Sequence, residues 1–184
     1  MSKNTQYKDE VLMYQLSRGN LRYAGDLFER YNVKLYNFFL YQGISEMISE
    51  DLVQSVFERL LRYRKSYQKE MSFRSWIYQI ARNVKADHFK KSKLKISDFK
   101  EVDDLNIKDD FKESFEKEQR LQALEQALER ISPENRELIL LTRFQKLKYR
   151  EVAEILSISE GAVKVKVHRA IKQLRLQYLK MEQL

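Results

Sequence analysis

One proline and four glycines interrupt 184 residues, and that scarcity constrains the fold more than any other feature. Strand-and-turn architectures spend Gly and Pro on their reversals. The residues that dominate here, Leu, Glu, Lys, Gln and Arg, are good helix formers. The chain is therefore predicted all-α. Apolar residues make up 43% and aromatic residues 12% of it, enough to fill a core, and the length suits one ordinary domain or two small ones.

Helical spacing supports this along the chain. After an N-terminal segment over 1–20, Leu27, Tyr31, Leu35 and Phe38 recur at three- and four-residue steps, predicting an amphipathic helix over 21–42 that Gly43 ends. In DLVQSVFERLLRYRKSY, Val53, Val56, Phe57 and Leu60 form one face, and Asp51, Gln54, Glu58 and Arg62 another. A third helix, FRSWIYQIARNVKADHFKKSK, carries the stripe Phe73, Trp76, Ile77, Ile80, Ala81 and Val84, with Arg82, Asn83, Lys85, Lys90, Lys91 and Lys93 on its other side. Three stripes facing one another predict a compact helical domain over 21–93. The periodicity fades over 94–115, where Asp103, Asp104, Asp109 and Asp110 mark a flexible acidic linker.

A second small helical domain is predicted over 116–184. Leu121, Leu124, Leu128 and Ile131 are cut by Ser132-Pro133, an N-cap followed by the proline that fits a first helical turn, and a helix should run from there to about Phe144. YREVAEIL and GAVKVKVHRAIKQLR then flank the turn SISE, with Ser159 as the N-cap of the last helix. Val163, Val167, Ala170, Ile171 and Leu174 form its buried stripe, leaving Lys164, Lys166, His168, Arg169, Lys172 and Arg175 outside. This is the pattern of a helix-turn-helix, whose second helix enters the major groove.

The balance of 35 Lys plus Arg against 27 Asp plus Glu, a net charge of +8, favours a polyanionic partner over a small-molecule substrate. Without cysteine there is no disulfide and no thiolate metal site, and two histidines far apart in sequence, His88 and His168, offer no ligand set. No metal or cofactor is expected. MSKNTQYKDE lacks the apolar core of a signal peptide, and no run reaches the length of a membrane span, which points to the cytoplasm.

The strings EDLVQSVFERLLR, FRSWIYQIARNVKADHFKK, ISPENRELILLTRF and YREVAEILSISEGAVKVKVHRAIKQLR, in this order, resemble the two-domain bacterial sigma factors of the extracytoplasmic-function (ECF) group. The resemblance implies a protein that binds RNA polymerase core, selects promoters and helps melt them, with no chemistry of its own. It places Asp51, Gln54 and Phe57, supported by Leu60, against the beta-prime clamp helices of the core, although Phe57 serves packing equally well. It assigns Arg82, Asn83 and Lys85 to the melted minus-ten strand, with Asp87 one turn on. An amide such as Asn83 can donate to and accept from an exposed base. The loop Tyr63 to Met71 would hold an extruded base, with Tyr67 or Tyr63 stacking on it, whereas Trp76 belongs to the apolar stripe and is expected in the core. Ser159, Gly161, Lys164, Lys166, His168 and Arg169 would lie at the minus-thirty-five duplex, where arginine can read guanine bidentately. An anti-sigma factor, commonly at the inner membrane, is the family's usual partner.

The chain departs from the family pattern at several points. Lys148 stands where a capping Ser or Thr is usual and Ser157 where Gly is common, and Ala162 and Val165 replace two hydroxyl residues of the last helix. Promoter sequence therefore does not transfer from relatives. Two other readings fit parts of the chain: a self-sufficient regulator using the helix-turn-helix alone, and a Mg2+-dependent nuclease built on the four aspartates of the linker.

Overall fold

The structure, a computed structural model, describes residues 7–95 and 115–181, the side chains of 91–95 and 115–121 excepted. Every regular element among the described residues is helical: α1 Asp9–Ser17, α2 Tyr23–Leu40, α3 Glu46–Tyr63, a 3-10 turn Arg64–Ser66, α4 Phe73–Lys95, α5 Phe115–Glu129, α6 Pro133–Ile139, α7 Tyr149–Leu156 and α8 Glu160–Met181. The stretch read as an acidic linker lies, from 96 to 114, outside the described residues, and with it the four aspartates of the nuclease reading.

The expected stripes build the first module. Leu27, Tyr31, Leu35 and Phe38 of α2 face Leu52, Val53, Val56, Phe57 and Leu60 of α3 and the apolar side of α4, all buried. Asp51, Gln54, Glu58 and Arg62 stand in solvent on the opposite face of α3. Between α2 and α3, Gly43 adopts φ +82, and a Cβ there would sit 3.1 Å from Arg136 Nη1. The reversal favours glycine through its positive φ, and an added side chain would also press on the Arg136 guanidinium. Ser72 caps α4 by accepting from the Ser75 amide at 3.4 Å.

The N-terminal segment, unassigned from sequence, contains α1. Its Leu12, Met13 and Leu16 are fully buried. Asp9 holds it to α2, accepting from Arg30 Nη1 at 2.6 Å and from the Tyr31 hydroxyl at 2.5 Å. Burial, reinforced by the Asp9 hydrogen bond and charge, drives the Tyr31 phenol far above its ordinary range. The Phe73 amide donates to Glu10 Oε1 at 3.3 Å, so one nine-residue helix ties α2 to the start of α4.

In the second module Ser132 Oγ accepts from the Asn135 amide at 3.4 Å with Pro133 behind it, as the Ser-Pro signature predicts. The helix expected to reach Phe144 is α-helical only to Ile139, and Leu140–Phe144 widens into a π-turn closed by Gln145 N–H to Leu140 O at 2.8 Å. A π-turn takes one more residue per turn than an α-helix, which swings Gln145 onto the first module. Leu128, Ile131, Ile139 and Ala170 form a small apolar cluster of their own. A second and larger cluster runs without a break from the first module into Leu138, Leu140, Leu141, Leu147, Val152, Ile155, Val163 and Val167. The two modules are packed together, α4 against α7.

Phe73 anchors this arrangement, wholly buried with its ring 5.1 Å from Tyr31, 6.3 Å from Tyr67 and 6.4 Å from Trp76. Phe73→Ala is expected to cost about 3–5 kcal/mol of stability, read from urea unfolding. A loss under about 1 kcal/mol would show that the aromatic cluster collapses freely into the space.

Candidate nucleic-acid interface

The helix-turn-helix is made by α7, its turn and α8. Ser157 ends α7 in the left-handed region, φ 54 and ψ 44, and the Ile158 amide reaches back to Ala153 O at 3.1 Å, closing the helix end in the manner of a Schellman turn. Ser159 Oγ accepts from the Ala162 amide at 3.1 Å, which fixes the start of α8. Val163, Val167 and Ala170 are buried, and Lys164, Lys166, His168, Arg169, Lys172 and Arg175 are all exposed on the face the spacing predicted. Val165 stands half in solvent among them. A Cβ at Gly161 would meet only Ser159 Oγ, at 4.0 Å, so nothing within the chain requires glycine there.

The cap that Lys148 does not provide comes from Glu151. One carboxylate oxygen accepts from the Lys148 amide at 2.7 Å and the other from Ser72 Oγ at 2.6 Å. A single side chain thus begins α7 and ties it to the start of α4. A search confined to position 148 misses this; the signal was the glutamate three residues on, half of a capping box.

The polar side of α4 meets the C-terminal module. Arg82 Nε lies 3.1 Å from Glu137 Oε1 and its Nη1 donates to Ile155 O at 2.8 Å. Lys85 Nζ is 3.5 Å from the same carboxylate oxygen and also bonds Gln42 Oε1. Arg74 donates to Gln145 O, and the Tyr78 hydroxyl to Gln145 Oε1 at 2.5 Å. Tyr78 is therefore buried although it lies outside the expected stripe: the helix is covered from two sides. Asn83 remains exposed, while Asp87 pairs with Arg59 of α3 at 2.7 Å.

The loop between α3 and α4 separates the two tyrosines named from sequence. Tyr63 is 52% exposed, whereas Tyr67 is 6% exposed, with its ring 5.2 Å from Trp76 and its hydroxyl donating to Met71 O at 2.8 Å. Tyr67 is thus a core residue here, its ring packed against Phe73 and Trp76 and its hydroxyl satisfied by Met71 O, and Tyr63 is the ring offered to solvent. Trp76 is buried as well. On α3, Asp51 and Gln54 are exposed; Phe57 packs 4.9 Å from Phe28, and Leu60 is fully buried beneath them. His168 is exposed on α8 and His88 stacks edge-on against Phe89 at 5.2 Å. Among the described residues no three metal-ligating side chains gather, and no helix is long and apolar enough to cross a membrane.

The turn residue offers a local test. A side chain in the left-handed region is strained in a way glycine is not, so Ser157→Gly is expected to raise stability by about 0.5–1 kcal/mol in thermal unfolding. A lower melting temperature would show that the Ser157 side chain makes a contact outweighing its backbone strain.

Residues 27–94 match sigma-70 region 2 and residues 121–174 match sigma-70 region 4. Among curated relatives, the ECF RNA polymerase sigma factor BldN of Streptomyces coelicolor is 28% identical over 166 residues, covering 89% of this chain and 63% of its own. The ECF RNA polymerase sigma factor SigX of Bacillus subtilis is 29% identical over 157 residues, covering 81% of this chain and 80% of its own. In fold the chain is similar to CnrH, solved with the cytosolic domain of CnrY, with TM-score 0.69, 24% identity and coverage of 91% and 95% of the two chains. It is also similar to the sigma factor RpoE of Bartonella quintana, solved with the anti-sigma factor NepR, with TM-score 0.68, 24% identity and coverage of 84% and 97%. With both sigma-70 regions matched in order on the two helical modules, the chain belongs to the ECF group of RNA polymerase sigma factors, the family of promoter-specific transcription initiation.

Proposed function

We propose that this chain is the promoter-selecting subunit of a bacterial RNA polymerase and performs no chemistry itself. Residues 21–93 dock on the core through Asp51 and Gln54 of α3, with Phe57 and Leu60 as the packed support beneath them, and take the melted minus-ten strand along Arg82, Asn83 and Lys85 of α4. Residues 116–184 read the minus-thirty-five duplex with α8, where Arg169 and Lys164 act first and Lys166 and His168 flank them. Tyr63, the exposed ring of its loop, is the stacking residue in place of Tyr67.

The observation that carries this reading is the exposed polar and basic face of α8, Lys164, Lys166, His168 and Arg169, on the outer side of a capped helix-turn-helix. Three cations within two turns, Lys164, Lys166 and Arg169, supply the phosphate attraction that gives DNA binding its salt dependence. Gly161 fits the same reading: with open space around it inside the chain, its lack of a side chain favours close approach from outside. An anti-sigma protein is the further partner, as NepR is for RpoE, and the chain works in the cytoplasm, held at the inner membrane where that inhibitor is anchored.

The test is transcription by sigma-free core polymerase over a genome-wide set of templates. Added chain should confer discrete start sites, and random initiation alone would refute the reading. Asp51→Ala with Gln54→Ala is expected to weaken association with core at least tenfold while leaving duplex binding by the free chain intact; unchanged retention on immobilised core would exclude these residues. Arg169→Ala should relax upstream sequence choice by about 1–3 kcal/mol at one base pair, and an unaltered ranking of promoter variants would move that role elsewhere on α8.

A further inference from the structure

The two basic surfaces of this chain are in opposite states. On α8, Lys164, Lys166, His168 and Arg169 all face solvent. On α4, Arg82 and Lys85 converge on one oxygen, Glu137 Oε1, at 3.1 and 3.5 Å. Glu137 is 8% exposed, so its carboxylate has left water and depends on those cations. Arg82 also donates to Ile155 O, which leaves its fork turned toward the C-terminal module. A carboxylate oxygen accepting from a guanidinium and an ammonium presents the same hydrogen-bonding chemistry as a phosphate oxygen. The seam continues through Ser72 with Glu151, Arg74 and Tyr78 with Gln145, and the Tyr41 and Phe144 rings 5.4 Å apart.

We propose that Glu137 is an internal stand-in for a DNA phosphate: it occupies Arg82 and Lys85 and latches the free chain in a closed form in which these two cations of the single-strand surface are taken, while Asn83, Tyr63 and the duplex surface stay open. This rests on the assignment of α4 to the melted strand made above. The closed form and the strand-bound form compete for the same two cations, so single-stranded DNA must displace Glu137 to reach them. Apparent strand affinity is then reduced by the fraction of chain that is open.

Because the chain contains no cysteine, probes can be placed at will. A donor and acceptor on Met47→Cys and Leu176→Cys, both at exposed positions, report the separation of the modules. Glu137→Gln keeps the side chain's shape and removes its charge. It is expected to lower transfer efficiency and to tighten binding of a labelled mixed-sequence single-stranded oligonucleotide about tenfold if some nine-tenths of the chain is normally closed. Affinity for the corresponding duplex should change less than twofold. Glu134→Gln, at an exposed position on the same helix, makes the same change in net charge and should behave as the unaltered chain. Conversely, joining Tyr41→Cys to Phe144→Cys with a short bis-maleimide should weaken strand binding and spare duplex binding.

Unchanged transfer efficiency in Glu137→Gln overturns the latch. So does an opened chain with unaltered strand affinity, a gain matched by Glu134→Gln, or a cross-linked chain with undiminished strand binding. Start-site selection with core polymerase is scored separately: its absence would defeat the promoter reading even where the spectroscopic opening occurs, and its presence with no opening would defeat only the latch.

Discussion

The packing of the two modules on each other leans on α4, whose apolar and polar sides are both covered. Its apolar stripe closes the core of the first module, and its polar flank carries Arg74, Tyr78, Arg82 and Lys85 into the second. The two sides are held by different physics. Each large apolar side chain on the inner side contributes about 1.5–3 kcal/mol on burial, with no replacement in water. Each hydrogen bond on the outer side contributes a net of about 0.5–1.5 kcal/mol, since water re-forms it on separation. Apolar packing also crosses the seam, into Leu138, Leu141 and Val152, so it is the polar contacts of the seam that can exchange partners. The Arg82–Glu137 pair sharpens this. Arg82 keeps about a third of its side-chain surface in solvent while Glu137 keeps 11%, so the carboxylate is the member stranded if its partner leaves.

The reading helix is held by similar economy. Glu151 supplies both the missing cap of α7 and the Ser72 contact with its two oxygens, so the orientation of the helix-turn-helix and its attachment to α4 depend on one carboxylate. Ser157 accepts a left-handed backbone where glycine would sit without strain. A local propensity is overridden there because the Ile158 amide and the helix end it closes need that conformation. Neither feature touches the exposed cations of α8, yet both decide where those cations point.

Much of the fold was legible because helices announce themselves by spacing. The stripes of α2, α3, α4 and α8 and the Ser132-Pro133 start are strong periodic or capping signals, and each fell within a few residues of its expected place. What was illegible needed partners distant in sequence. α1 offers one turn of apolar spacing, too short to stand out; its Leu12, Met13 and Leu16 enter the core, and Asp9 and Glu10 tie it to α2 and α4. Tyr78 lies outside the stripe, which predicts one buried face, and packing of the second module through Gln145 covers it from the other side. The π-turn at Leu140–Phe144 left no mark that an ordinary helix would not. For the candidate site the exposed set on α8 and Asp51 and Gln54 on α3 followed from periodicity. Tyr67 did not, because a loop tyrosine faces inward or outward according to contacts its neighbours in sequence do not reveal.

The asymmetry between the two surfaces has a consequence for order. If the duplex face is open while Arg82 and Lys85 are occupied from within, a free chain meeting DNA gains nothing from those two cations on single strands until something displaces Glu137. A sigma subunit with its strand face always bare would be drawn to any exposed single strand, since phosphate attraction carries no sequence information. On the proposed latch, engaging Arg82 and Lys85 with Glu137 withholds these two cations from stray strands through a contact that DNA phosphate can replace in kind. On that proposal, release of the latch coincides with the step at which a melted strand first exists, and one carboxylate both quiets the free chain and ties strand capture to opening of the promoter.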